Sequence, residues 1–180
     1  MTPEPDYQLI PSFLAESESL ALFQHLEGKV DWDESMKARK TACYGESYDE
    51  SGVDFKSRAL LPELEALCDA LDRTVGFRPT NCLLNFYEDG RSTMGFHSDT
   101  IANLAEGTGI VIVSLGAERE LTFRHKNNYE IRHRYLLPNG SLFYMTQATQ
   151  ESWTHAVKRS DVAGARISLT FRRILSKNRS

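Results

Sequence analysis

His97-Ser98-Asp99 sets an imidazole and a carboxylate two residues apart. In an extended segment alternate side chains share a face, so both point the same way and suit two ligands of one metal ion. A third ligand must come from elsewhere. The chain has five histidines, His25, His97, His125, His133 and His155. His155 stands in Trp153-Thr154-His155-Ala156-Val157, a late segment able to lie across a barrel from the first pair. Two His and one carboxylate with open positions form the facial triad of non-haem Fe(II) oxygenases. The same set suits zinc in a hydrolase, and H-x-D with a distant His also occurs as ordinary polar residues.

Arg166-Ile167-Ser168-Leu169-Thr170-Phe171-Arg172 alternates strictly. Ile167, Leu169 and Phe171 take one face, and Arg166, Ser168, Thr170 and Arg172 the other. If the polar face points inward, an arginine at each end needs anions. The two Cα atoms then stand roughly 20 Å apart at ~3.3 Å per residue, and long side chains leaning together could grip a short dicarboxylate. If it points outward, the arginines are solvated. Asn85 and Tyr87 share a face in the same way, and both can donate to a carboxylate oxygen.

The elements that must position these groups are legible in outline. Residues 1–12 form an extended lead-in with three prolines. Leu20, Phe23 and Leu26 predict an amphipathic helix over about 16–28. Pro62 can open a second helix, whose Leu64, Leu67, Cys68, Leu71 and Val75 fall on one face and place Cys68 in the core. Residues 31–58, polar and rich in Ser, Gly and Tyr, are expected as loops with a short hairpin. From residue 80 the segments 80–88, 108–115, 119–125, 129–136, 141–146, 152–157 and 165–174 read as strands. Asp89-Gly90, Lys126-Asn127-Asn128 and Pro138-Asn139-Gly140 separate several of them as turns. Two helices followed by many short strands predict an α+β chain with a jelly roll or barrel.

At 180 residues the chain is long enough for one domain with a sizeable core. No window approaches 18 uncharged apolar residues, so no membrane partner is expected. The first ten residues lack a basic and then apolar secretory pattern, and the three cysteines form no CxxC pair. Both features point to a reducing, cytoplasmic setting. Residues 1–36 hold eight acidic residues against Lys29 alone, a net −7, leaving +3 for the remainder of a chain of net −4. That mild basicity is compatible with a polyanion.

Taken in order, Asn-x-Tyr, an Asp-Gly turn, H-x-D, a distant His and R-x5-R resemble the AlkB family of Fe(II)- and 2-oxoglutarate-dependent dioxygenases. The text that carries the likeness is NCLLNFYEDGRSTMGFHSD, GIVIVSLGAERELTFRHK, NGSLFYM, WTHAV and ARISLTFRRI, with ARKTACYGE upstream. The resemblance implies one domain over 1–180. It comprises an acidic segment (1–36), a substrate lid (37–58) and a catalytic jelly roll, or double-stranded β-helix (80–174), preceded by two helices. By resemblance His97, Asp99 and His155 bind Fe(II). Arg172 and Asn85 hold the 2-oxoglutarate carboxylate next to the keto group, and Arg166 and Tyr87 hold the distal one. O2 is the other co-substrate. The implied activity is oxidative demethylation of N-alkylated bases in DNA or RNA, releasing succinate, CO2 and formaldehyde.

In nucleic-acid repair members the flipped base stacks between the first iron-binding His and a lid aromatic. His97 matches the first wall. Tyr48 and Phe55, with Tyr44 behind them, are the candidates for the second. Lys37, Arg39 and Lys40, and Arg119, Arg124, Lys126, Arg132 and Arg134, could face the phosphates, or merely solvate a hairpin. One residue departs from the family pattern. Repair members usually carry an acidic residue two positions after the iron-binding Asp, and here Ile101 stands there. Ile101 favours the same chemistry on another modified RNA base, a protein or a small molecule. A binding module that kept only the fold is a further alternative. Single-stranded nucleic acid, met by a monomer, is the expected partner; the acidic segment, if it lies near the cleft, would repel a duplex and adds to the departure at Ile101.

Overall fold

The alternating segments after residue 80 build two facing sheets in the computed structural model, which describes residues 2–50, 53–55 and 57–176. The strands are β1 (Tyr7–Ile10), β2 (Lys40–Gly45), β3 (Tyr48–Glu50), β4 (Val53–Phe55), β5 (Ser57–Arg58), β6 (Asn81–Tyr87), β7 (Met94–His97) and β8 (Ile110–Gly116). They continue with β9 (Arg119–His125), β10 (Arg132–Leu137), β11 (Leu142–Met145), β12 (Trp153–Val157) and β13 (Arg166–Arg172). The helices are α1 (Glu16–Lys29), α2 (Pro62–Val75) and α3 (Gln147–Ser152). A major sheet of order β1-β11-β8-β13-β6-β2-β5 faces a minor sheet of order β10-β9-β12-β7, as a jelly roll requires. Strands β3 and β4 form a separate hairpin.

Strand β13 is central. It pairs antiparallel with β6 along its whole length and with β8 over six residues. Its outer side chains Ile167, Leu169 and Phe171 are fully buried with Leu26 of α1 and Leu64, Leu67 and Leu71 of α2. Each such side chain contributes about 1.5–3 kcal/mol by leaving water. A second apolar cluster lies between the sheets and includes Leu83, Leu121, Phe123, Phe143 and Trp153. Pro62 does start α2, Gly76 ends it in the left-handed region at φ 82°, and Cys68 is buried. The acidic helix α1 therefore lies on the far side of the major sheet from the inter-sheet space. His25, one of the spare histidines, fastens α1 to α2 through Glu63 at 2.7 Å.

Three expectations are corrected. Residues 40–45 are not loop but β2, which pairs antiparallel with β6 and parallel with β5. The alternation was hidden because Lys40-Thr41-Ala42-Cys43-Tyr44-Gly45 is buried through its middle on both faces. The hairpin expected in this region is β3–β4, and its tip at residues 51 and 52 lies outside the described residues. The strand expected from 129 begins only at Arg132, because residues 128–131 close a turn from Ile131 N–H to Asn128 O at 3.1 Å. Finally, the short helix α3 stands where no periodicity announced one. At the expected Asp89-Gly90 turn, a Cβ on Gly90 would lie 2.1 Å from Ser160 O, so this turn packs directly on the loop between β12 and β13.

Candidate active site

The inner face of the major sheet is polar where the sequence alternates. Leu83, Asn85 and Tyr87 of β6 and Arg166, Ser168, Thr170 and Arg172 of β13 line one wall of an inter-sheet cavity. Met94 and His97 of β7, Leu121 of β9 and His155 and Val157 of β12 line the opposite wall, with Asp99 beside them. The arginines thus face inward, and the solvated alternative does not hold: Arg166 and Arg172 are 1% and 2% exposed.

His97 and His155 are directly opposed in the β7–β12 ladder. With Asp99 they form a cluster whose ligand atoms all lie within 4.8 Å of one another. Asp99 Oδ1 is 3.4 Å from His97 Nε2 and 3.5 Å from His155 Nε2. His97 Nδ1 donates to Gly95 O at 2.8 Å, since a carbonyl can only accept, and this turns Nε2 toward Asp99 and the cluster. Burial holds His155 below its ordinary value, outweighing the hydrogen bond with Asp99, so its imidazole is neutral and ready to ligate. Burial alone would raise Asp99. The Arg172 charge, followed by the hydrogen bonds with His155 and His97, overrides it and holds the carboxyl well below the usual range.

These groups fit a divalent cation and an anionic chelator. Neutral imidazoles and one carboxylate suit Fe(II). The wall opposite carries two guanidiniums against that single carboxylate. Arg172 donates to Asp99 Oδ2, whereas Arg166 donates through Nη2 to Ser114 Oγ at 3.0 Å. Arg166 Nε and Nη1 are buried with no hydrogen-bond partner among the described residues. Buried donors of this kind are costly unless an anion meets them. Tyr87 lies with its ring 5.2 Å from the Arg166 guanidinium, and its hydroxyl contacts Met94 Sδ at 3.8 Å.

The remaining candidates are placed differently. Tyr48 lies under Arg172, with the guanidinium 3.7 Å from the ring centroid, and its hydroxyl accepts from Thr100 N–H at 3.2 Å. Phe55 pairs opposite Tyr48 in the hairpin. At 4% and 8% exposure, neither offers an open ring face to a base, and Tyr44 packs in the helix-facing core. Lys40 is held by Glu34 and Glu88 at 2.8 and 3.0 Å, and Arg119 is buried on the carbonyls of Asp89, Ser92 and Lys158. Lys40 is therefore a surface cation already paired with two carboxylates, and Arg119 is not at the surface. Arg124 does face outward, stacked between Phe96 and Tyr129 at 4.0 and 4.2 Å. His125 and His133 pack edge-on against Trp153, away from the metal cluster.

Two residues near the cavity make contacts that the sequence did not announce. Arg39, grouped there with surface cations, instead donates through Nε to Asn85 Oδ1 at 2.7 Å. Gln150 accepts from the backbone N–H of Asp99 at 2.9 Å. Each contact spans more than 45 positions, so no local spacing could reveal it.

The family model of the 2OG-Fe(II) oxygenase superfamily matches residues 6–172. DNA oxidative demethylase ALKBH2 of Bos taurus is 32% identical over 193 residues, covering 94% of this chain and 68% of the relative. That of Homo sapiens is 32% identical over 182 residues, covering 88% and 70%. Alpha-ketoglutarate-dependent dioxygenase alkB homolog 3 of Rattus norvegicus is 30% identical over 186 residues, covering 92% and 63%. The structure of OsALKBH1 superposes with a TM-score of 0.70 over 96% of this chain and 99% of that one, at 17% identity.

Proposed function

Because the chain belongs to the 2OG-Fe(II) oxygenase superfamily, and within it to the AlkB family of Fe(II)- and 2-oxoglutarate-dependent dioxygenases, we propose that it oxidatively removes N-alkyl groups from nucleic-acid bases. The observation that carries the reading is the cavity itself, where a His-Asp-His cluster faces two buried guanidiniums. The substrate class is supported by the relatives named DNA oxidative demethylase.

His97, Asp99 and His155 are the ligands we assign to Fe(II). Arg166 and Tyr87 take the distal carboxylate of 2-oxoglutarate, and Arg172 and Asn85 the one beside the keto group. When bound, Fe(II) with 2-oxoglutarate and O2 supplies the oxidising equivalents, so that succinate and CO2 leave and a hydroxylated N-methyl group departs as formaldehyde. The chain's task is positioning. The paired strands β6 and β13 fix Asn85, Tyr87, Arg166 and Arg172 on one rigid wall, and the opposed His97 and His155 fix the other. Leu83, Ile112, Leu121 and Val157 line the rest and keep water from the reacting carbon. The outward Arg124, with Arg132 and Arg134 on the adjacent strand β10, supplies cations for phosphates.

The test is formaldehyde release from a single-stranded oligonucleotide bearing 3-methylcytosine, with Fe(II), ascorbate and 2-oxoglutarate, against the same oligonucleotide in a duplex. Release by the wild type and none by His97→Ala supports the reading. Succinate formed without formaldehyde would move the substrate elsewhere and leave the dioxygenase chemistry standing. Ile101 favours that second reading, since its side chain packs against the inter-sheet cluster and offers no acceptor to an exocyclic amine. If Ile101 is what limits the reaction on 3-methylcytosine, Ile101→Asp raises it.

A further inference from the structure

Helix α3 has six residues, too few to be stable through its own hydrogen bonds. It also turns polar side chains inward: Thr149 and Gln150 are each 2% exposed. Burying such groups is costly unless each finds a partner, so the partners show what the helix is held for. Gln147 Nε2 donates to Ala105 O and Thr108 O at 2.9 and 2.8 Å. Thr149 Oγ1 exchanges hydrogen bonds with the Asp6 backbone at 2.8 and 3.0 Å. Lys126, in the turn after β9, holds the C-terminal end through Nζ to Gln150 O at 2.6 Å and N–H to Ser152 O at 2.9 Å. With its backbone fixed on three sides, α3 presents Gln150 Oε1 to the buried N–H of Asp99 at 2.9 Å.

The need for that contact follows from the strand boundaries. Ladder pairing sets His97 opposite His155, but β7 ends at His97. Asp99 lies two residues beyond, where no ladder fixes its backbone. Arg172 meanwhile draws the Asp99 carboxylate toward β13 through Oδ2. Two contacts hold the backbone against this pull. Ser98 Oγ donates to Trp153 O at 2.7 Å, and Gln150 accepts from Asp99 N–H. The amide orientation is forced, because a backbone N–H needs the oxygen of Gln150 and not its NH2 group.

We infer that Gln150 is a positioning residue for the metal centre. Together with Ser98 it clamps the Asp99 backbone to the α3–β12 segment that carries His155, so that carboxylate and imidazoles are held as one unit before a metal binds. This rests on the assignment of His97, Asp99 and His155 as the ligands. Removing groups that orient metal ligands lowers metal affinity by about 10–100-fold.

The experiment is a Co(II) titration of the metal-free 180-residue chain, read by calorimetry and by the visible d–d spectrum. It compares wild type, Asp99→Ala, Gln150→Leu, Gln150→Glu and Ser98→Ala. Gln150→Leu removes the acceptor, whereas Gln150→Glu keeps it. The inference expects Gln150→Leu to weaken Co(II) binding by about 10–100-fold and to alter the spectrum, with Gln150→Glu restoring both. Circular dichroism melting of the metal-free variants reports folding separately. Should Gln150→Leu not fold, Ser98→Ala carries the same expectation through the other half of the clamp. Loss of Co(II) in Asp99→Ala, with wild-type binding in Gln150→Leu and Ser98→Ala, overturns the clamp and leaves the ligand set intact. No binding by the wild type, or undiminished binding by Asp99→Ala, overturns the ligand set and the clamp with it.

Discussion

Arg172 Nη2 meets Asp99 Oδ2 at 2.7 Å, with both side chains only 2% exposed. The carboxylate is thereby divided, since its other oxygen faces the two imidazoles. Arg172 thus serves the metal cluster and the anion wall together. Breaking a buried pair on one side leaves an uncompensated charge, at a cost of about 3–5 kcal/mol. Arg172→Ala is expected to lower the urea midpoint of the metal-free protein and to abolish 2-oxoglutarate binding. An unchanged midpoint would show that Asp99 does not depend on this arginine.

Arg166 is expected to behave oppositely in the metal-free state. Its guanidinium is buried, with a hydroxyl rather than a carboxylate as its hydrogen-bond partner, and burial pulls it below the ordinary arginine value. Replacing such a group by an apolar side chain of similar length removes a desolvation cost. Arg166→Met is therefore expected to melt no lower than the wild type while losing the stabilisation that 2-oxoglutarate confers. Thermal melts with and without 2-oxoglutarate read both effects at once.

Arg39 reaches Asn85 from the segment just before β2. By occupying Oδ1 it turns the Asn85 NH2 group into the side available to a carboxylate. Arg39→Leu frees that amide to rotate, at about 1 kcal/mol for one lost hydrogen bond, or roughly fivefold. The KM for 2-oxoglutarate is expected to rise by that factor with kcat little changed. A fall in kcat at unchanged KM would place Arg39 on the substrate instead.

Cys68 is fully buried on α2, and burial pushes its thiol up from 9.0 to about 11. In the unfolded chain the thiol ionises near 9, whereas the folded chain keeps it protonated to about 11. Its contribution to stability is complete below pH 9 and is lost as the pH rises toward the folded value, on the order of 2 kcal/mol. The stability difference between wild type and Cys68→Ala, from urea unfolding, should shrink by that amount across the window. A difference independent of pH would show that the thiol is not shielded.

Much of the site was legible because period-2 alternation survives folding. Asn85 and Tyr87, and Arg166 and Arg172, line the cavity as their spacing required, and the apolar residues between them line the core. The α2 stripe was legible for the corresponding helical reason. Strand β2 was not, because a strand buried on both faces loses its alternation. Nor were the bonds of Arg39 to Asn85 and of Gln150 to Asp99, which depend on how distant segments dock. Tyr48 shows the limit of composition. Its aromatic ring marked it as a surface for a ligand, yet that ring lies beneath the guanidinium of Arg172.

The placement of α1 and α2 behind the major sheet also sorts charge through the molecule. Those helices carry Glu16, Glu18, Glu27, Glu63, Glu65, Asp69 and Asp72 against Lys29 and Arg73. Across the sandwich, β10 and the end of β9 bring Arg124, Arg132 and Arg134 to the opposite side. Charge is therefore divided unevenly across the layers of a chain of net −4, although Arg78 pairs with Glu65 and Asp69 and Glu120 lies 3.8 Å from Arg134. A polyanion at low ionic strength would meet that unevenness before contact. Added salt screens it beyond a Debye length and erases its effect first in the association rate.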